Sequence, residues 1–337
     1  KLLDKEFLPG QSGIIDLPIG SMIDYQAVNM TVHIHRSKTP GPSLLLTAGL
    51  HGDEIIGVEI LRRLLKSRQI RSLRGNLIVV PVVNMPAFLN RSRYLPDRRD
   101  LNRLFPGSAT GSLGARLAFT YASKLIDLCT HAIDIHAGAV GRPNLPQIRV
   151  SPGDDIAVEM AKAFKPPVVI ETGLREGSLR SLYYHQAKPS ILYEADEAHR
   201  LDNSAVRYGY HGILSVMRYL EMLPQEKKPA RKMARTVISE STTWVRTPRG
   251  GIITSLTDLG KAIVPGDVLG IVADPFGKHE TKIVSKVEGI VIGINREGTA
   301  DEGDAMFHIA TTHNAERAEA RIQHSDRVLP EETGARQ

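Results

Sequence analysis

The strongest constraint on the fold of this chain is a run of apolar residues that has no polar face. The segment LIVVPVV (77–83) carries no polar or charged side chain. A strand of this kind is stable between two layers of helices. Comparable runs such as SLLLTAG, AIDIHA, PPVVIET and SILYEAD alternate with the helical periodicity of VEILRRLLKS, IAVEMAKAF and YHGILSVMRYLEML. This alternation predicts a layered α/β fold.

After Pro224 the sequence changes character, because glycine and short β runs dominate it. Segments such as VRTPRGGIITSL, DVLGIVADPFG, TKIVSKVEGIVIGI and AMFHIA predict a small all-β barrel or sandwich. We therefore divide the chain into an N-terminal extension (1–30), an α/β domain (31–223), a linker (224–235), a β domain (236–313) and a polar tail (314–337). We expect the tail to be mobile or to form a marginal helix.

The charge balance argues against a nucleic-acid partner. The 337 residues include 43 Lys and Arg against 37 Asp and Glu, a formal net charge of +6. Part of this small excess lies in the proline-containing stretch 224–235, which is typical of a solvated linker. A nucleic-acid footprint needs basic residues clustered on one face. We therefore expect neither nucleic acid nor a membrane as a partner.

Cys129 is the only cysteine of the chain. This excludes an intramolecular disulfide and a metal site built from cysteines. Its apolar neighbours Leu125, Ile126 and Leu128 predict an inert position in the core. No apolar run approaches the roughly 18 residues that span a bilayer, and the first residues lack the apolar region of a signal peptide. We therefore expect a cytoplasmic protein.

Two candidate metal ligands follow the apolar run LLLTAG. His51 and Glu54 are three residues apart in HGDE, at a strand-to-helix turn where open α/β folds place their sites. An imidazole and a carboxylate at this spacing can bind one cation. His136 is the candidate third ligand, because it also ends an apolar run, AIDIHAG. Two histidines and one glutamate leave the fourth position of a tetrahedral zinc site to water, as in catalytic sites.

An arginine-rich and turn-rich segment, NMPAFLNRSRYLPDRRDLNRLFPG, lies between these ligand candidates. It contains Asp100, Asn102 and Arg103. An amide beside a guanidinium suits a clamp on a substrate carboxylate, because the guanidinium offers parallel donors. A surface loop of ion pairs would explain the charges, but it would not explain the apolar frame around them.

The motifs HGDE, DLNRLFPG and DIHAG, in this order, resemble those of the succinylglutamate desuccinylase/aspartoacylase family, from about Thr31 to Leu223. The resemblance implies a zinc-carboxypeptidase-like fold, with a mixed sheet flanked by helices. It also implies a zinc-dependent amidohydrolase or deacylase with one Zn²⁺ per chain. Its substrate would be an N-acyl amino acid or a similar small carboxylate.

The resemblance also assigns roles to the residues of the motifs. His51, Glu54 and His136 match the zinc ligands, and Asn102 with Arg103 matches the pair that holds the substrate carboxylate. Asp100 matches the acid that hydrogen-bonds a ligand histidine and fixes its tautomer.

Arg93 matches an arginine that polarises the scissile carbonyl, although Arg91, Arg98 and Arg99 are close alternatives in the sequence.

The general base of the family is a glutamate at the end of a late strand. Glu194, in SILYEADEAHRLD, stands in that place, and YEA-x-E resembles the family motif. Glu171, in VVIETGL, is the rival because it also follows an apolar run. Asp196 departs from the family pattern, which has a glycine there, so the floor of the pocket and the acyl preference stay open.

The β domain resembles the β-barrel appendix of the same family, and in outline it is similar to lipoyl or biotinyl carrier folds. The turn DPFGKHE holds Lys278 but lacks the sequence context of a modified carrier lysine. We expect this domain to shape the entrance of the site or to support a homo-oligomer. A narrowed entrance favours small substrates over peptides.

Three other interpretations compete with the deacylase. His33 and His35 lie on one face of a predicted strand and could form the His-x-His pair of a barrel amidohydrolase. Such a barrel needs eight βα units, and too few precede Pro224. A zinc carboxypeptidase acting on short peptides and a metal-free binding module of the same fold also remain open.

Overall fold

The computed structural model describes residues 6–225 and 235–330. Most of the predicted linker, residues 226–234, lies outside the described residues. In the described part, no helix is long and apolar enough to cross a membrane.

Eight strands precede the linker in the described chain: β1 (Ser12–Ser21), β2 (Ala27–Arg36), β3 (Ser43–Ala48), β4 (Asn76–Val80), β5 (His131–Gly138), β6 (Asn144–Val150), β7 (Val168–Glu171) and β8 (Ser190–Glu197). They form one twisted layer in the order β1-β2-β4-β3-β5-β8-β6, and β7 pairs with β6. The central pairs β4–β3, β3–β5 and β5–β8 are parallel, whereas β1–β2, β2–β4 and β6–β8 are antiparallel. The predicted mixed sheet is therefore confirmed.

Helices cover both faces of this sheet: α1 (Ile56–Lys66), α2 (Met85–Leu89), α3 (Leu113–Leu125), α4 (Asp155–Phe164), α5 (Leu179–His185) and α6 (Asn203–Tyr219). Short 3-10 turns lie at Arg68–Ser72, Leu101–Arg103 and Ile126–Leu128. Several helices begin at a side-chain cap; Asp154 accepts a hydrogen bond from Ala157 N and Asp202 accepts one from Ala205 N.

The fully apolar strands supply two cores, one on each face. Leu44 and Leu46 of β3 pack into the core beside α1, α4 and α6, whereas Leu45 between them packs into the core beside α3. Each of these three side chains is fully buried. Helix α6 lies close to its neighbours because Gly212 leaves room for Phe164; a Cβ there would lie 2.2 Å from the Phe164 ring.

The β domain adds the strands β9 (Val237–Ser239), β10 (Thr242–Arg246), β11 (Gly251–Ser255), β12 (Ala262–Ile263), β13 (Val268–Ala273), β14 (Glu280–Val284), β15 (Gly289–Ile294), β16 (Thr299–Ala300) and β17 (Ala305–Thr311). The order β14-β13-β11-β16 forms a second sheet. Apolar side chains including Leu269, Ile283 and Phe307 form the core between the two layers. This arrangement confirms the predicted small β domain.

The β domain is hydrogen-bonded to the α/β domain. Strand β15 continues the large sheet through the pair Gly293 and Asn144, and β9 runs parallel to β7. The segment predicted as an N-terminal extension contains β1, and the segment predicted as a polar tail contains helix α7 (Ala315–Val328). The two domains are therefore in direct contact along the edge of the sheet at β6 and β7.

Candidate metal centre and active site

The loop after β3 carries the first two ligand candidates. Strand β3 ends at Ala48, Gly49 turns the chain with φ +61°, and α1 begins only at Ile56. Glu54 therefore lies in the turn before the helix, where its side chain can face the sheet edge. The loop packs tightly on α2, because a Cβ on Gly52 would lie 2.0 Å from the backbone of Ala87. Only glycine fits there, so the backbone next to His51 is held in place.

His51, Glu54 and His136 form one buried cluster. A ligand atom from each lies within 4.8 Å of the other two. The Glu54 carboxylate lies between the imidazoles: Oε1 is 2.7 Å from His51 Nδ1, and Oε2 is 2.8 Å from His136 Nδ1. The backbone N–H of Ala137 also donates to Glu54 Oε2 at 3.0 Å. The structure thus brings together the three residues that the sequence analysis selected as metal ligands.

A second carboxylate holds the far nitrogen of each histidine. Asp100 Oδ1 lies 3.0 Å from His51 Nε2, and Asp134 Oδ2 lies 2.8 Å from His136 Nε2. Thr47 donates to the other oxygen of Asp134 at 2.7 Å. Asp100 was selected from the sequence, but Asp134 was missed. Its position two residues before His136, on the same face of β5, was the available signal.

The charges of this cluster suit a divalent cation. Burial lowers the pKa of His136, but Asp134 and Glu54 outweigh it and raise that pKa well above its ordinary value. Burial raises the pKa of Glu54, but His51 and His136 outweigh it, and the pKa lies far below its ordinary value. A neutral imidazole has a single N–H, yet each ring faces carboxylates from both nitrogens. A divalent cation held by His51, Glu54 and His136 would take the place of the protons that the imidazoles share with Glu54.

The cluster lines a cavity of about 450 Å³. The lining includes further predicted residues, namely Arg93, Asn102, Arg103 and Glu194. Neither Glu171 nor the alternative arginines Arg91, Arg98 and Arg99 line it. Glu194 and Arg93 therefore line the cavity, and their rivals in the sequence do not.

The register of the sheet positions Glu194. Strands β5 and β8 are parallel neighbours, and Glu194 lies opposite His136 in their pairing. Its Oε2 is 2.5 Å from Nε of Arg149, which stands on the adjacent strand β6. Within the described chain, the other oxygen of Glu194 has no hydrogen bond or ion pair. The carboxylate is thus anchored at one oxygen, and the other is available to a ligand.

Arg93 bridges the two acids on the His51 side of the cluster. Its guanidinium donates to Glu54 Oε1 at 3.2 Å and to Asp100 Oδ2 at 3.1 Å. Burial lowers the pKa of Arg93, but these two carboxylates outweigh it and the pKa is raised. The group is therefore a fixed positive charge beside the candidate metal ligands.

Asn102 and Arg103 lie on the 3-10 turn that follows Asp100. Asn102 Oδ1 accepts a hydrogen bond from Leu179 N at 2.9 Å, which fixes the plane of the amide. Arg103 is hydrogen-bonded through Nη1 to the Asn102 carbonyl at 2.5 Å and is paired with no carboxylate of the described chain. The two side chains are thus placed to present donors to the cavity.

Several lining residues were not selected from the sequence. Arg149 lies on β6, Arg175 on the loop before α5 and Arg180 on α5. The β domain contributes Trp244 and His308. The rings of Trp244 and His308 are stacked, with centroids 4.4 Å apart. Arg149 stands between the buried apolar residues Ile148 and Val150 of its strand, which was a usable signal. Trp244 and His308 both follow the DIHAG motif by more than a hundred residues, and no local pattern connects them to the site.

Asp196, which stands where the family has a glycine, adopts the backbone conformation that favours glycine, with φ +58°. Its side chain accepts a hydrogen bond from Asp202 N at 2.9 Å. It lines a separate cavity with residues such as Val140, Arg200 and Arg296, and it does not line the cavity of the metal cluster. Asp196 therefore does not form the floor of the main cavity.

The His33–His35 pair and Cys129 both lie outside the cavity lining. His33 and His35 lie on β2, away from the cavity lining, and His35 Nδ1 is 2.5 Å from Ser12 Oγ. The open mixed sheet also rules out the barrel that a His-x-His pair requires. Cys129 is buried, so its predicted position in the core is confirmed, and burial raises the pKa of its thiol to about 11.

The fold and the cluster agree with the family suggested by the motifs. Residues 40–220, more than half of the chain, match the model of the succinylglutamate desuccinylase/aspartoacylase catalytic domain. The chain belongs to this family of deacylases.

Similar proteins extend over nearly the whole chain. The N-α-acetyl-L-2,4-diaminobutyric acid deacetylase of Halomonas elongata is 26% identical over 314 residues, which cover 89% of this chain and 91% of that protein. The product-bound ectoine utilization protein EutE (DoeB) of Ruegeria pomeroyi has a TM-score of 0.80 at 25% identity, covering 90% of this chain and 95% of that chain. A succinylglutamate desuccinylase/aspartoacylase of Rhodobacter sphaeroides shares the fold, with a TM-score of 0.79 at 23% identity and coverage of 90% and 96%.

Proposed function

We propose that this protein is a zinc-dependent deacylase that hydrolyses the amide bond of a small N-acyl amino acid. The observation that carries the proposal is the convergence of His51, Glu54, His136 and Glu194 on one cavity. Its walls also carry guanidinium groups that have no carboxylate partner among the described residues.

His51, Glu54 and His136 would hold the zinc ion, because buried imidazole and carboxylate donors within one small cluster are its usual ligands. Bound there, zinc supplies Lewis-acid activation of the water and the amide carbonyl. Asp100 and Asp134 hold the two imidazoles in the orientation that turns Nδ1 towards Glu54.

Glu194 is the proposed general base. It lies opposite His136 in the sheet, and one of its oxygens has no hydrogen bond or ion pair in the described chain. It takes a proton from the attacking water and then gives it to the leaving amine, as general acid–base catalysis requires. Arg149 keeps the carboxylate in position through the contact to its other oxygen.

Arg93 and the pair Asn102–Arg103 are the proposed substrate contacts. The Arg93 guanidinium lies beside Glu54, where it can donate to the carbonyl oxygen as negative charge develops on it. Arg103 offers parallel donors to a carboxylate of the substrate, and Asn102 adds its amide nitrogen. These contacts would orient the amide bond towards Glu194.

The size of the cavity supports a small substrate. About 450 Å³ accommodates an acylated amino acid, and Trp244 and His308 of the β domain form part of its wall. The Halomonas relative is a deacetylase of an N-acetylated amino acid, and this similarity supports the same reaction type here.

A hydrolysis screen tests the proposal. The zinc-loaded protein is incubated with N-formyl, N-acetyl and N-succinyl amino acids and with unblocked short peptides, and release of free amine is measured. We expect release from at least one N-acyl amino acid and little from peptides. Faster removal of C-terminal residues from peptides would identify a carboxypeptidase instead. Failure to bind zinc and to cleave any compound would identify a binding module.

A further inference from the structure

A group of polar side chains lies in the core beside α3, directly behind the candidate ligand His136. Thr47 of β3 and Asp134 of β5 are opposite each other in the parallel pairing of these strands. Tyr121 of α3 and Tyr183 of α5 complete the group. None of these four side chains belongs to a residue that is more than 4% exposed. Three hydroxyl groups are thus buried next to a carboxylate, although the proposed reaction uses none of them.

The hydroxyl groups form a chain that ends on the Asp134 carboxylate. Thr47 Oγ1 donates to Asp134 Oδ1 at 2.7 Å, and Asp134 Oδ2 lies 2.8 Å from His136 Nε2. The hydroxyl oxygens of Tyr121 and Tyr183 are 2.5 Å apart. Burial raises the pKa of Tyr121 well above its ordinary value, and a side-chain hydrogen bond with Thr47 acts in the opposite direction. The chain therefore connects α5 to a candidate metal ligand.

The direction of the chain follows from the number of hydrogens, because each hydroxyl group has only one. Thr47 gives its hydrogen to Asp134, so it accepts from Tyr121. Tyr121 in turn accepts from Tyr183. All three O–H bonds then point towards the carboxylate. Hydrogen bonds in such a chain polarise one another in a medium of low dielectric constant, so the tyrosines strengthen the contact between Thr47 and Asp134.

The orientation of Asp134 depends on this contact. Thr47 is the partner of one carboxylate oxygen, and His136 is the partner of the other. A threonine hydroxyl can rotate about its C–O bond, and the bond from Tyr121 keeps its hydrogen directed at Asp134. A carboxylate that is fixed in this way holds the imidazole in one orientation, which favours metal binding by the other ring nitrogen.

The two tyrosines are themselves held by the helices that carry them. The ring of Phe105 packs edge-on against Tyr121, with centroids 5.7 Å apart. At the start of α5, Asn102 Oδ1 accepts a hydrogen bond from Leu179 N at 2.9 Å. The hydroxyl of Tyr183 is therefore presented by an anchored helix, and the chain has a fixed origin.

We propose that Tyr121 and Tyr183 are positioning residues of the metal centre, whose hydroxyl groups hold Thr47 and Asp134 in the orientation that directs His136 towards the metal. This inference rests on the proposed zinc-dependent function. Neither tyrosine lines the cavity, so both act through Asp134 and not on the substrate.

The zinc affinity of phenylalanine variants tests the proposal. Competition with a chromophoric chelator compares the wild type with Y121F and Y183F, each of which removes one hydroxyl group and keeps the ring. We expect Y121F to weaken zinc binding by about three- to tenfold, the effect of one net hydrogen bond. Y183F should weaken it by at least about twofold, and this variant carries the test if Y121F does not fold.

A double-mutant cycle tests the route through Asp134. In the D134N background the chain no longer ends on a carboxylate, so Y121F should change the zinc affinity by less than about twofold. An equal effect of Y121F in both backgrounds would overturn the proposed route.

The matched control is Y208F, which removes a buried tyrosine hydroxyl that donates to Asp326 at 2.7 Å, away from the metal cluster. It should lower the thermal stability but leave the zinc affinity unchanged. The same pattern in Y121F and Y183F would give these tyrosines a structural role only and would overturn the proposal.

A measurement on the metal-free protein separates this inference from the deacylase proposal. Nuclear magnetic resonance of the protein with ¹⁵N-labelled histidine records how fast the His136 Nε2 proton exchanges with water. We expect exchange at least about threefold faster in Y121F. This result, together with a wild type that binds no zinc, would refute the zinc deacylase and support the positioning role. A wild type that binds zinc and hydrolyses amides, with zinc affinity and proton exchange unchanged in both variants, would refute the positioning role alone.

Discussion

Each candidate ligand histidine is held from both sides, and this arrangement determines what single substitutions should do. His136 contacts Glu54 through Nδ1 and Asp134 through Nε2. An imidazole whose far nitrogen is fixed keeps its tautomer and its direction towards a metal. Substitution of the far carboxylate should therefore change the metal affinity, although this carboxylate is not itself a candidate ligand.

Asp134→Asn should weaken zinc binding by about 10- to 100-fold, the range typical for such partners. The amide cannot accept from both Thr47 and the imidazole as the carboxylate does. Competition with a chromophoric chelator measures the affinity. Asp127→Asn, which removes an exposed carboxylate on the Ile126–Leu128 turn, should leave it unchanged. Unchanged affinity in the Asp134 variant would refute the positioning role.

Glu194→Gln keeps the shape of the side chain but removes the proton acceptor. It should therefore bind zinc and substrate while kcat falls by roughly 10² to 10⁴, as expected for loss of a general base. Glu171→Gln is the matched control and should change kcat far less, because Glu171 does not line the cavity. Parallel steady-state kinetics decides between them, and the reverse order of effects would make Glu171 the base.

Individual site residues could be predicted where a motif with metal-binding side chains lies at the end of a predicted strand. HGDE follows a buried strand and DIHAG ends one. The ligand candidates in these two motifs could therefore be predicted to converge at one edge of the sheet. Arg175 and Arg180 could not be selected in that way, because only the path of the loop 172–178 brings them to the cavity. Asp134 was missed because DIH was interpreted as a strand with one functional residue.

Among the secondary-structure elements, α1 links the site to the core, and its exposed face carries a compact ion cluster. Glu59 accepts hydrogen bonds from Arg62 Nε at 2.6 Å and from Arg63 Nε at 2.6 Å. The contact with Arg62 is the main cause that lowers the pKa of Glu59 to about 2. Because the folded-state pKa is depressed, the stabilisation is present above about pH 4.5 and is lost as the pH falls through about 2.

Glu59→Gln should lower the free energy of unfolding by roughly 0.5 to 1 kcal/mol at pH 7, since the arginines are partly screened by solvent. The difference from the wild type should shrink between about pH 4.5 and pH 2. Urea unfolding at several pH values measures both quantities. Glu240→Gln, at an exposed position in the β domain, is the control. A difference that grows on acidification would contradict the assigned ion cluster.

The elements themselves were largely predictable, because amphipathic or fully apolar runs define them. The predicted helices over VEILRRLLKS and IAVEMAKAF correspond to α1 and α4. Glu54 precedes helix α1, which begins at Ile56, and the Ile55 N–H donates to Asp53 O in the turn at 3.1 Å. Such turn geometry depends on the contact of Gly52 with α2, which the local sequence does not encode.

In the whole molecule, the β domain takes part in the site. Trp244 and His308 pair across β10 and β17, and both line the cavity of the metal cluster. The family resemblance predicts that this domain shapes the entrance. Trp244 and His308 could not be predicted as lining residues. They reach the cavity because β15 pairs with β6, and these two strands are far apart in the sequence.

Trp244→Ala should widen the entrance and change the substrate range. The kcat/KM for an N-acyl dipeptide, relative to that for an N-acyl amino acid, should rise by about tenfold, or about 1.4 kcal/mol. Competition kinetics with the two substrates measures the ratio. Phe276→Ala is the control, because this aromatic ring is exposed on the hairpin between β13 and β14 and is not part of the lining. An unchanged ratio would show that Trp244 does not limit access.

The central claim is that one zinc ion, held by His51, Glu54 and His136, is required for amide hydrolysis. The most direct test is a titration of the metal-free protein with zinc while amine release from an N-acyl amino acid is recorded. The account predicts that activity rises linearly and stops at one zinc per chain, and that His136→Ala neither retains zinc nor becomes active. Full activity of the metal-free protein, or a His136→Ala variant that binds one zinc and hydrolyses normally, would contradict it.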